Sequence, residues 1–149
     1  RTRSTPAAPA RTWSLVAHPH NLPRWWPETV RVEDVHGSAG AARSRFTQVL
    51  ATSKGKPVRA DFRCVAATRG ERLVWRQELE GTPFERFMRE AELELRLVPG
   101  GGEGTELTLE ARRRLRGLSR LGSPMMRRAT GRTLDSALDG IERALGGGA

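Results

Sequence analysis

Ala91-Glu92-Leu93-Glu94-Leu95-Arg96-Leu97 sets an apolar side chain at every odd position and a charged one at every even position. That period of two belongs to a β-strand with one buried and one wet face. The same period extends outward in both directions, and we read six strands over Thr29–Val35, Ala42–Leu50, Pro57–Ala67, Arg72–Glu80, Phe84–Val98 and Thr105–Leu115. The links are turn chemistry, for example Lys54-Gly55-Lys56, Arg69-Gly70-Glu71 and the Pro99–Gly104 run. Links this short join only antiparallel neighbours.

Before the strands the period differs. Pro9–Ala17 carries Trp13 and Val16 or Ala17 on one helical face, and His18-Pro19 ends it because a residue preceding proline avoids the helical region. A second short helix spans Asn21–Trp26 and stops at Pro27. Arg1–Thr5 lacks apolar alternation and is expected to form a frayed edge strand at best. After the strands, Ser123-Pro124 reads as an N-cap and first helical residue, and Gly146-Gly147-Gly148 as a stop. The helix between them is a rod of roughly 33 Å. Met126, Leu134, Ala137, Leu138, Ile141 and Leu145 share one face, while Arg128, Arg132, Asp135, Asp139, Glu142 and Arg143 share the other. A start near Leu118 with a kink at Pro124 fits the pattern equally well.

The fold expected is therefore α+β: a curved antiparallel sheet of six to seven strands wrapped around one long C-terminal helix, as a single domain over residues 1–149. One helix cannot fill the concave face of such a sheet unless bulky side chains occupy the remainder. Aromatic residues are only 5% of the chain and tyrosine is absent, so an internal cavity is expected.

Composition narrows the function classes. The formal net charge is +9, but residues 112–132 hold eight arginines and no acid, leaving 18 basic and 17 acidic side chains elsewhere. The excess is one local run, and lysine occurs only at Lys54 and Lys56, which weighs against nucleic acid as the partner. No apolar run approaches the length of a membrane span, and the opening residues lack the apolar middle of a signal peptide. The protein is expected to be soluble and cytoplasmic; its first residue is Arg and not Met, which leaves room for an upstream segment. Cys64, alone of its kind, sits in strand phase and reads as a core thiol. His18, His20 and His36 have no metal-ligand spacing, and no nucleophile motif, phosphate-binding loop or cofactor signature is present.

Two segments carry a resemblance. Trp13-Ser14-Leu15-Val16-Ala17-His18-Pro19-His20-Asn21-Leu22-Pro23-Arg24-Trp25-Trp26-Pro27 resembles the opening of the START-like (SRPBCC) superfamily, of the polyketide cyclase/dehydrase and lipid-transport type, and Gly104-Thr105-Glu106-Leu107-Thr108-Leu109 resembles its "G-T-x-v-t" strand. The resemblance implies the helix-grip fold over nearly the whole chain and a small hydrophobic or aromatic ligand held between sheet and helix. It also allows a polyketide aromatase/cyclase acting on a carrier-tethered poly-ketone. The apolar first strand of that family is replaced here by Arg1–Thr5.

The expected cavity lining is Trp25, Trp26, Phe46, Phe62, Trp75, Phe87, Leu93, Leu134 and Leu138, with ordinary core packing as the alternative for each. The resemblance implies that one indole of the Trp25–Trp26 pair faces the cavity mouth. Polar residues in phase with the apolar face are more telling, because each needs a partner when buried. Ser44, Gln48, Gln77 and Arg113 qualify, and Gln77 and Arg113 are the candidates for polarising a carbonyl or moving a proton. Arg112, Arg114, Arg116 and Arg120 read either as solvated side chains or as a dock for an acidic carrier protein or an anionic headgroup. Neither the ligand nor the oligomeric state is specified by the sequence.

Overall fold

Where alternation is strictest the strands are longest: β6 (Met88–Pro99) and β7 (Thr105–Leu115) pair antiparallel along their lengths, with Leu93 facing Ala111, Leu95 facing Leu109 and Leu97 facing Leu107. The computed structural model describes residues 1–146, without the side chains of residues 118–120 and 123. The remaining strands are β1 (Thr2–Thr5), β2 (Thr29–His36), β3 (Arg45–Leu50), β4 (Val58–Thr68) and β5 (Arg72–Glu78). They form one seven-stranded antiparallel sheet in the order β1-β7-β6-β5-β4-β3-β2. Helix α1 (Pro9–Val16), a 3-10 turn (Pro19–Asn21) and helix α2 (Leu22–Trp25) follow β1, and helix α3 (Ser123–Gly146) closes the chain. This is the helix-grip arrangement.

The apolar stripe of α3 is buried as its spacing predicts: Leu134, Ala137, Leu138, Ile141 and Leu145 pack on Leu73, Leu95, Leu107 and Leu109 of the sheet and on Val16, Leu22 and Trp25 of the short helices. Gly140 lets α2 approach α3 closely, since a Cβ there would lie 2.7 Å from the Trp25 Cα. The N-cap role of Ser123 and the stop at Gly147-Gly148 lie outside the described residues.

Four expectations change in the structure. The β1 segment is a paired strand rather than a frayed one, with Thr2 opposite Thr108 and Arg3 opposite Leu107. Charge replaces the missing apolar residues: Arg1 reaches Asp135 at 3.3 Å, and Arg3 bonds Asp139 and lies 3.5 Å from Glu142, so the acidic stripe of α3 holds the strand. The predicted strand Phe84–Val98 begins only at Met88, because Pro83–Arg86 forms a 3-10 turn whose three-residue repeat brings Phe84 and Phe87 edge to face at 6.0 Å. Ala42–Ser44 is a turn: Arg43 has φ of 69° and the Ser44 hydroxyl donates to the Ala41 carbonyl at 2.7 Å. Finally, Asn21–Trp26 is split between the 3-10 turn and α2, and Trp26 is already extended ahead of Pro27.

Candidate functional site

Cross-strand register assembles the inner wall. Phe46, Phe62 and Gln77 face one another across β3, β4 and β5, and Cys64, Trp75, Leu93 and Ala111 do so across β4 to β7. Further along the sheet Ala91 faces Arg113. Two alanines where the neighbouring rows carry leucine leave space between the sheet and α3. The result is a cavity of about 60 Å³, lined by Leu22, Trp26, Phe46, Gln48, Phe62, Trp75, Gln77, Ala91, Glu92, Leu93, Ala111 and Arg113. A single water needs about 10–15 Å³ of such space, so this cavity holds a fragment and not a whole lipid. It is smaller than the low aromatic content suggests, because four of the eight aromatic residues turn toward it. Phe46 stacks on Phe62 at 5.3 Å and meets Trp75 edge to face at 5.1 Å.

Adjoining the cavity is a much larger open cleft of about 840 Å³, between the end of β7 and the first turns of α3. Ala111, Arg113 and Glu92 line both spaces. Met126, Arg127, Thr130 and Leu134 form the α3 side, and Arg1, Glu90 and Arg114 the rim. The cleft exists because α3 packs on the sheet only from about Gly131 onward; Met125, near its start, is 78% exposed.

Electrostatics separate the two faces of the sheet. On the outer face Glu94 is buried, which alone would raise its pKa, but Arg72, Arg96 and Arg112 donate to it at 2.6–3.2 Å and hold it at about 2. Inside, the Arg113 guanidinium donates to the Thr130 hydroxyl at 3.0 Å, and burial pushes its pKa below the ordinary arginine value. Arg113 is nonetheless an exposed residue, its side chain lying along the open cleft where solvent reaches it. The Gln77 amide has no hydrogen-bond partner among the described residues, whereas Gln48 donates to the Thr29 hydroxyl at 2.7 Å. Burial also raises the Cys64 pKa, which keeps this core thiol neutral.

The expected lining residues divide accordingly. Trp26, Phe46, Phe62, Trp75 and Leu93 face the inner cavity, and Leu134 the cleft. Trp25 and Leu138 are in the main core, each 2% exposed, and the Trp25 indole nitrogen is buried without an acceptor among the described residues. Phe87 belongs to a separate small cluster with Leu79, Met88 and Phe84, for it leaves the strand phase in the 3-10 turn. Ser44 lies in the turn before β3. The structure adds Ala91 and Ala111, whose role is to be small; their mark in the sequence is two alanines in the apolar phase of long strands.

The arginine run is contiguous in sequence and divided in space, since alternate residues of a strand face opposite ways. Arg112 points outward to Glu92, Glu94 and Glu110, Arg114 lies 3.6 Å from Glu90, and Arg116 donates to the Met88 carbonyl at 3.3 Å. The Arg120 side chain lies outside the described residues. All three histidines are exposed, and no group of residues suited to a metal ion occurs among the described residues. No described helix is long and apolar enough to cross a membrane.

Comparison with known proteins agrees with this geometry. A family model described as polyketide cyclase / dehydrase and lipid transport matches residues 1–146. Curated protein sequences give no match. Among solved structures, a protein from Thermus thermophilus is 23% identical with a TM-score of 0.77, covering 100% of this chain and 97% of its own. A START superfamily protein from Mycobacterium smegmatis is 14% identical with a TM-score of 0.78 and the same coverage. The Zhui aromatase/cyclase from Streptomyces sp. R1128 is 17% identical with a TM-score of 0.76, covering 97% of this chain and 90% of its own. Identities this low establish a shared fold and no shared ligand.

Proposed function

The chain belongs to the polyketide cyclase / dehydrase and lipid transport family, and on that premise we propose that it binds a small hydrophobic or aromatic molecule between the sheet and α3. The observation that carries this is an aromatic-lined cavity that shares Glu92, Ala111 and Arg113 with an adjoining open cleft. An aromatic ring entering through the cleft would lie against Phe46, Phe62 and Trp75, and the rest of the ligand would occupy the cleft along Leu134 and Met126. Apolar surface removed from water supplies about 25 cal/mol per Å² toward binding.

The neutral dye N-phenyl-1-naphthylamine, which brightens in apolar surroundings, tests this. The protein is expected to give a saturable signal at one dye per chain, and Ala111→Phe, which fills the junction, to abolish it. Saturable binding that survives Ala111→Phe would place the apolar site elsewhere.

A second reading is an aromatase/cyclase, supported by Gln77 and Arg113 on the cavity wall, neither paired with a carboxylate among the described residues. Two such groups could hold ketone oxygens of a folded chain in position. A carrier protein delivering that chain would meet Arg114 and Arg127 at the cleft rim. On this reading Gln77→Leu retains dye binding and loses turnover of a poly-ketone; unchanged turnover would remove Gln77 from the chemistry.

A further inference from the structure

Among the described residues Arg113 is the only charged side chain at the inward-facing positions paired across β3 to β7; the others are apolar, apart from Gln48, Gln77 and Thr105. Its one side-chain partner among the described residues is a neutral hydroxyl, that of Thr130. The acids near it are engaged from the other face: Glu92 by Arg76 at 2.9 Å and by Arg112 at 3.7 Å, and Glu90 by Arg114 at 3.6 Å. Arg113 is exposed to the cleft, and because a guanidinium does not shed its proton it presents a fixed positive charge to whatever enters there. Its place at the junction sets it where an apolar ligand in the cavity must pass into the cleft.

We propose that the ligand is an apolar monoanion, with its hydrophobic body against Phe46, Phe62 and Trp75 and a carboxylate at the junction paired with Arg113. The proposal rests on the cavity being the ligand site, and it adds the charge and orientation of what binds there. The planar guanidinium fork suits a carboxylate, and such a pair is stronger than a neutral hydrogen bond. Removing the cation while leaving the walls intact should therefore abolish discrimination between an acid and its neutral isostere.

Calorimetric titration with 2-naphthoate and with 2-naphthamide, which share shape and differ in charge, decides the matter. The acid is expected to bind about tenfold more tightly than the amide, the ratio a single charge-assisted hydrogen bond of ~1.4 kcal/mol supplies. In Arg113→Met the acid should fall to the affinity of the amide, and in Arg113→Lys it should keep part of its advantage, with thermal melts verifying that both variants fold. Equal affinities in the unmodified protein, or a preference for the acid that survives Arg113→Met, would overturn the proposal and leave the cavity reading standing. Binding of neither compound would overturn both.

Discussion

Two residues have effects that follow from their surroundings alone. A methyl group at position 140 would collide with the Trp25 backbone of α2, which is pinned between two prolines and cannot slide away. Gly140→Ala should therefore lower stability by about 1–3 kcal/mol despite the better helix propensity of alanine, seen as a lower denaturant midpoint with unchanged m-value. Glu94 gives a pH signature. Its folded pKa of about 2 lies below the ordinary 4.5, so the stabilisation it provides is present above pH 4.5 and is lost as pH falls toward 2. The stability advantage of the unmodified protein over Glu94→Gln should thus be full at neutral pH and shrink through that window; a constant difference would mean that the three arginines do not stabilise the ionised carboxylate. Phase identified Phe46, Phe62 and Trp75 as cavity-facing, because they sit in unbroken strands. Phase could not separate Leu134 from Leu138, since both lie on the apolar face of α3 and only the point where the helix meets the sheet decides which one borders the cleft.

At the scale of elements, the body of β6 was readable from period alone because one face is charged and the other aliphatic. Boundaries failed where local chemistry competes with the strand: proline and a 3-10 repeat at 83–86, and a positive-φ turn at Arg43. The misjudged element is β1, whose attachment is ionic and long-range; Arg3 and Asp139 are far apart in sequence, and no local pattern reveals their pairing. A double-mutant cycle with Arg3→Ala and Asp139→Ala should give a coupling of about 0.2–1 kcal/mol, as partly exposed pairs do, and the coupling should diminish in about 1 M salt. A coupling indifferent to salt would show that Arg3 holds the strand by packing of its stem instead. The division of the arginine run belongs to this scale too: its charge was legible, but strand alternation sends Arg112 to the outer glutamates and Arg113 to the cavity.

For the whole molecule, the curved sheet and single helix make a space whose size is governed by a few side chains rather than by the fold. Four aromatic residues shrink the interior to about 60 Å³, and two alanines and an incompletely docked helix open it to a cleft of about 840 Å³. Ligand binding should then be a local event in which the rings at the inner wall respond and distant ones do not. The four tryptophans are natural reporters: Trp75 and Trp26 face the cavity, Trp25 is in the core, and Trp13 lies on the far side of α1 beside Gly40. The most direct measurement is a ¹H–¹⁵N correlation spectrum of the assigned indole N–H groups during titration with 2-naphthamide. Trp75 and Trp26 should shift in a saturable manner while Trp13 stays in place; movement confined to Trp13, or no movement at all, would contradict a ligand site between the sheet and α3.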